Sequence, residues 1–258
     1  ERVEAAGIHP VLTDLGHADY AGIPVDADHL VHLAAYMQPG SIDYDLAISQ
    51  NAEATGLLLE HCRRYESALV MSTHSVYKPV DDPWHVFAPT DPLGDVNAFS
   101  PTYSISKIGQ EAVARTMARL LDLPVTIARM NASYGPNGGL PTYHFRAVAK
   151  GDPLVTRWDP CPYQPIHQDD INTQLAGLLA AASVPATILN WAGDEQVTVQ
   201  EWAAYMGELI GREAQVQVVE QPGTLRGSCA DVSARLAAAG PCRVGWQSGM
   251  SGLAASEV

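Results

Sequence analysis

Apolar strand-like runs near residues 8–12, 28–33, 67–72, 124–130 and 186–191 alternate with helix-like runs near 43–64, 101–121, 141–150, 168–183, 198–211 and 231–238. No other feature constrains the fold as strongly. A continuous apolar run reads as a strand buried on both faces, and strands separated by helices pair in parallel with the helices laid over the sheet. The clearest run is Ala68-Leu69-Val70-Met71, closed by the hydroxyls of Ser72 and Thr73. The expected fold class is therefore α/β with a parallel sheet. Asp43 and Ser100-Pro101 read as helix starts, the second with proline in the first turn. Pro and Asp are dense between Tyr77 and Pro101 and again over 152–165, so loops are expected there, the first over the active site.

In open α/β sheets, ligands bind beyond the carboxyl ends of the strands, which directs attention to Ser72 and Thr73. Some thirty residues on, Tyr103 and Lys107 stand four positions apart in a helix-like run and share one helix face. An ammonium so placed would lower the phenol pKa toward neutrality and fit Tyr103 to move a proton to or from a carbinol or carbonyl oxygen. A hydroxyl at Ser72 or Thr73 would hydrogen-bond that same oxygen. The plain readings are an exposed tyrosine beside a solvated lysine, and hydroxyls that cap a turn.

Composition narrows the partners. Fifteen Lys and Arg stand against 29 Asp and Glu, a formal charge of −14 without a basic tract, which argues against nucleic acid and anionic membrane. Cys62, Cys161, Cys229 and Cys242 have no CxxC spacing and read as reduced thiols of a cytoplasmic protein. The nine histidines are scattered, so no metal site is expected. The longest apolar stretch, around 175–182, is too short to span a bilayer. A small-molecule substrate is the expected partner, and a homodimer is left open.

Six segments, in order, carry a resemblance. They are Asp28-His29-Leu30-Val31-His32-Leu33-Ala34-Ala35, Asn51-Ala52-Glu53-Ala54-Thr55, Ser72-Thr73 with Tyr103 and Lys107, Arg129-Met130-Asn131-Ala132-Ser133-Tyr134-Gly135-Pro136, Ile166-His167-Gln168-Asp169-Asp170, and Asn190-Trp191-Ala192-Gly193 with Val197-Thr198. Together they resemble the extended short-chain dehydrogenase/reductase family, also called the NAD-dependent epimerase/dehydratase family. The resemblance implies a Rossmann-like doubly wound sheet and a small C-terminal substrate lobe. Residues 1–135 would form the cofactor domain, joined by 165–195, with 136–164 and 196–258 forming the lobe.

The resemblance also implies roles. Thr73, Tyr103 and Lys107 would be catalytic. Asp14, Leu15, Leu33, Ala34, Ala35, Asn51, Met71 and Met130, with Tyr103 and Lys107, would meet NAD or NADP. Thr73, His74, Ser75, Asn131 and Tyr163 would meet substrate. The family's glycine-rich GxxGxxG turn is absent, and the opening Glu1-Arg2-Val3-Glu4-Ala5-Ala6-Gly7 reads as the tail of a helix. The first strand, glycine turn, first helix and second strand are thus expected to precede Glu1, and the choice between NAD and NADP goes with them.

Departures from the family pattern bear on substrate. Tyr163 and Gln221 stand where nucleotide-sugar enzymes commonly carry arginines for a diphosphate, although Arg157 or Arg226 could compensate. His74-Ser75 replaces the Asp-Glu pair of the 4,6-dehydratases. The expected activity is an NAD(P)-dependent oxidoreductase acting on a small hydroxy/keto or sugar-like compound. A nucleotide-sugar epimerase and a non-catalytic dinucleotide-binding protein remain the alternatives.

Overall fold

Four apolar runs become the strands of one parallel sheet, β1 (His29–His32), β2 (Ser67–Thr73), β3 (Val125–Met130) and β4 (Thr187–Trp191), in the order β1-β2-β3-β4. The structure, a computed structural model, describes residues 2–94 and 100–257; Glu1, Val258 and residues 95–99, the last within the loop expected over the site, lie outside them.

Side chains alternate across a strand, so neighbouring apolar residues serve opposite faces. Val70 and Ile127 meet Leu58, Leu59, Ala114 and Ala118 of the helices Ala54–His61 (α1) and Pro101–Leu121 (α2). Leu69, Ala128 and Leu189 meet Leu178 of the helix Gln168–Ala180 (α3) on the other face. The sheet is therefore covered on both sides, which explains why its strands read as unbroken apolar runs. A third core packs Phe145, Trp202, Met206, Met250 and Leu253 from the helices Leu140–Lys150, Val199–Ile210 and Trp246–Glu257 against Tyr134 of the short strand Ser133–Gly135.

Short strands tie this third core to the sheet's carboxyl end. Ser133–Gly135 pairs with Ile166–His167, and Val86–Phe87 pairs with Cys229–Ala230, both in parallel. The segment 152–165, expected as a loop, contributes the strands Leu154–Thr156 and Pro162–Tyr163.

The first run departs from expectation. No strand forms at 8–12 among the described residues: Pro10 lacks a backbone donor, Leu12 is fully exposed, and no neighbouring strand offers a ladder. The 43–64 run is helical but interrupted. Asp43 caps Tyr44–Ile48 by accepting from Leu46 N at 2.9 Å, a π-helical turn follows at Ser49–Glu53, and α1 resumes at Ala54. Among the described residues no helix is long and apolar enough to cross a membrane.

Candidate active site

A cavity of about 320 Å³ opens at the carboxyl ends of β2 and β3. Thr73 lines it as the last residue of β2, His74 and Ser75 from the turn that follows, Tyr103 from the first turn of α2, Met130 and Asn131 from the end of β3, and Arg157, Tyr163 and Ser228 from the other side. Six of the residues that sequence reasoning assigned to chemistry or substrate thus share one wall system with Met130: Thr73, His74, Ser75, Tyr103, Asn131 and Tyr163, with Arg157, weighed as a compensating cation, beside them.

Thr73 Oγ1 accepts from Ser75 N at 3.2 Å and caps the turn His74–Val76. Burial raises the Tyr103 phenol above its ordinary range, and a hydrogen bond with Thr73 pulls it back. The expected lowering by Lys107 is not what dominates. Lys107 Nζ donates instead to the Met71 carbonyl at 2.6 Å, and burial pushes its pKa down to about 8 while Glu111 holds it up.

Glu111 completes a ladder with Tyr103 and Lys107, each four residues from the last on one face of α2. It was not singled out from sequence, although that spacing is the signal. Ser72, expected beside Thr73 at the chemistry, turns away and donates to Glu111 Oε1 at 2.6 Å. Arg129 grips the same carboxylate with Nε–Oε1 at 2.9 Å and Nη2–Oε2 at 2.8 Å, both side chains almost wholly buried. Its Nη1 donates to the Pro89 carbonyl at 2.9 Å, and its guanidinium lies 4.8 Å from the Tyr77 ring centroid. Tyr77 Oη in turn donates to Asn190 Oδ1 at 2.6 Å. This buried network fixes α2 and the 77–91 segment behind the cavity.

His74 is buried and its pKa falls to about 3, through burial first and the Arg129 charge second, with Asn190 pulling the other way. Its Nδ1 lies 3.1 Å from Ser228 Oγ and 3.4 Å from Asn131 Nδ2. Tyr163 Oη accepts from Arg157 Nη2 at 3.4 Å. Burial, and secondarily Cys161, raise this phenol, while Arg157 opposes them. Arg226 lies 4.4 Å over the Trp158 ring and lines a second cavity of about 300 Å³, which shares Pro79 and Gly223 with the first.

Other predicted cofactor residues lie outside the larger cavity. Asp14 caps the turn Leu15–His17 on the surface, accepts from Gly16 N, and pairs with His17 at 3.0 Å, which lowers its pKa. The Leu15 carbonyl accepts from Tyr20 Oη at 3.2 Å. Leu33, Ala34 and Ala35 are exposed in the loop beyond β1. Asn51, buried in the π turn, clamps that loop: Tyr36 N donates to Oδ1 at 2.7 Å, and Nδ2 donates to Tyr36 O at 2.8 Å and to Ser106 Oγ at 2.9 Å. Among the described residues no group of three or more His, Cys, Asp or Glu could hold a metal ion.

A doubly covered parallel sheet, with a cavity at its carboxyl end and a buried lysine one turn below the cavity tyrosine, defines a Rossmann-like protein of the extended short-chain dehydrogenase/reductase class. The family model described as "NAD dependent epimerase/dehydratase family" matches residues 12–159, more than half of the chain. The chain belongs to that family, whose members are enzymes.

Solved structures share the fold. UDP-glucuronic acid 4-epimerase from Bacillus cereus, crystallised with UDP-4-deoxy-4-fluoro-glucuronic acid and NAD, is 19% identical with a TM-score of 0.82, over 95% of this chain and 80% of that one. MoeE5 in complex with UDP-glucose and NAD is 23% identical with a TM-score of 0.80, over 99% and 92%. DesIV, a dTDP-glucose 4,6-dehydratase from Streptomyces venezuelae with NAD bound, is 22% identical with a TM-score of 0.81, over 99% and 83%.

Proposed function

We propose that this chain is an NAD(P)-dependent oxidoreductase acting on a small hydroxy/keto or sugar-like substrate, with Tyr103 as the proton-transfer group, Thr73 orienting the substrate oxygen and Lys107 supporting both tyrosine and cofactor. The observation that carries the reading is the placement of the Tyr103 phenol and the Thr73 hydroxyl in one cavity at the carboxyl end of β2, with Lys107 buried a turn below. Residues present suit the nicotinamide end of a dinucleotide. Leu33, Ala34 and Ala35 leave an exposed loop beyond β1, and Met130 lines the cavity. The chain contains no glycine-rich turn for a pyrophosphate. Bound there, the nicotinamide would accept or return hydride. The protein's own part is to hold the reacting oxygen between Thr73 and Tyr103, to move its proton through the phenol, and to offset developing phenolate charge with the Lys107 ammonium.

Residues 1–135 with 165–195 form the cofactor domain in this reading, and 136–164 with 196–258 the substrate lobe. A cytoplasmic location, with four free cysteines among the described residues, belongs to the same reading, and a homodimer is compatible with it.

A nucleotide-sugar epimerase is the second reading. It is favoured by the adjoining cavity beside Trp158 and Arg226, which offers an aromatic ring and a cation beyond the smaller substrate's reach. Nucleotide sugars bound to the structural neighbours support it as well. Low-micromolar inhibition by UDP or dTDP would put this reading first; net turnover of free NAD(P) with a small substrate would favour the oxidoreductase.

The test of mechanism is Tyr103→Phe at saturating NAD(P). It should lower kcat about 10²-fold or more with cofactor affinity nearly unchanged, while Lys107→Met should damage both. Near-normal turnover by the Tyr103→Phe protein would remove the assignment.

A further inference from the structure

We propose that the junction of His74, Ser228 and Asn131 in the cavity wall receives a substrate hydroxyl other than the one that reacts, with Ser228 Oγ as its acceptor and His74 as the residue that makes Ser228 accept. The proposal rests on the reading of this cavity as the substrate site, and all three residues line it.

The hydrogen-bond directions follow from Asn131. Its Oδ1 accepts from Ala132 N at 2.8 Å and Gln164 N at 3.4 Å, while Nδ2 donates to the Ser228 carbonyl at 2.6 Å. Flipping the amide would set N–H against N–H and oxygen against oxygen, so its orientation is fixed. The remaining Nδ2 hydrogen faces Ser228 Oγ at 3.2 Å and His74 Nδ1 at 3.4 Å. In the proposed arrangement that hydrogen goes to Ser228 Oγ, His74 Nδ1 is the bare ring nitrogen, and the ring proton sits on Nε2, a buried atom with no hydrogen-bond partner among the described residues. Ser228 Oγ, 3.1 Å from that bare nitrogen, donates its only proton to it. A hydroxyl whose proton is committed can only accept. One lone pair of Ser228 Oγ meets Asn131, and the other remains for a ligand.

Packing holds this arrangement. The His74 ring is T-shaped against Tyr77, with centroids 5.2 Å apart and planes at 72°, and against Phe87 at 6.4 Å and 87°. Burial keeps the imidazole neutral across the working pH range. Ser228 is itself anchored, its N–H donating to the Pro162 carbonyl at 2.7 Å. The matching ligand group is an O–H donor, as on a polyhydroxylated, sugar-like compound. A substrate carbonyl or carboxylate at the same point would set lone pair against lone pair.

Two measurements on the full chain with NAD present test the proposal. Imidazole ¹⁵N spectra should show His74 as the neutral Nε2–H tautomer from about pH 5 to 8; a protonated Nδ1 overturns the proposal whatever the protein catalyses. Calorimetry with glucose, UDP-glucose and their monodeoxy analogues should find one analogue bound about tenfold or more weakly than its parent. Ser228→Ala and His74→Phe should each erase that difference, and His74→Asn, which keeps an acceptor near the Nδ1 position, should restore part of it. Discrimination that survives Ser228→Ala overturns the proposal. If the tautomer is as stated and no sugar of the set binds, the cavity is not a sugar site, and the hydroxyl receptor falls while the hydrogen-bond assignment stands.

Discussion

Residues 8–42 and the core around Trp202 both carry large apolar side chains, yet they treat them oppositely. Leu12, Ile42, Met37 and Ile8 remain exposed, whereas Phe145, Trp202, Met206 and Met250 are wholly buried. The difference lies in facing layers rather than in composition. Three helices enclose Trp202, while the outer side of β1 has no paired strand among the described residues. Apolar content becomes stability only where a second surface covers it. The proposed catalytic residues sit on the covered side of this divide, on a helix pinned by a buried ion pair.

The largest effect that tests the contrast is Trp202→Ala, expected to cost about 3–5 kcal/mol in chemical denaturation. Leu12→Ala should stay within about 0.5 kcal/mol. A comparable loss at Leu12 would mean that the N-terminal segment is as well packed as the lobe. Removing the charge that holds α2 comes next. Glu111→Gln leaves Arg129 buried without its counter-charge and should cost about 3 kcal/mol or more. A neutral result would show that the pair is not what holds the helix.

A third effect appears only with pH. The folded pKa of Lys107, about 8, lies below its ordinary value of 10.5, so the folded state binds fewer protons between those limits. Stability should therefore rise as pH climbs from about 8 to 10.5, by on the order of 3 kcal/mol, and the gain is lost as pH falls back through 8. Lys107→Met should flatten that part of the curve, measured as urea midpoints of both proteins across the range. Parallel curves would place the ammonium in a more solvated site than its contact with Met71 implies.

How much was legible in the sequence follows from the same physics. The strands at 67–72, 124–130 and 186–191 were readable because helices bury both faces of the sheet, leaving unbroken apolar runs. The run at 8–12 misled because Ile8, Val11 and Leu12 look alike whether or not a ladder exists to receive them. Trp246–Glu257 was missed because Gly249 and Gly252 weaken helix propensity, and the pair that anchors it, Met250 and Leu253, spans less than one turn. Thr73, Tyr103 and Asn131 were legible at the cavity through spacing and strand ends. Glu111 was not, because its partner Arg129 reaches it only after the sheet has formed. Ser72 and Thr73 are adjacent in sequence, but a strand sends neighbours to opposite faces, and only one of them reaches the cavity.

The π turn at Ser49–Glu53 has a consequence for how such a fold can change over generations. Its closing contact runs from the Ala54 amide back to the Ser49 carbonyl, one residue farther than α-helical spacing allows. Loss of one codon, at Ala52 for instance, would remove the extra residue, let the helix close with α-helical spacing and draw Asn51 out of the widened turn that aims it at the loop. The loop beyond β1 would then come loose from its clamp with none of its own letters altered. The setting of that loop is thus inherited through the length of a neighbouring helix, where a comparison restricted to substitutions would not find it.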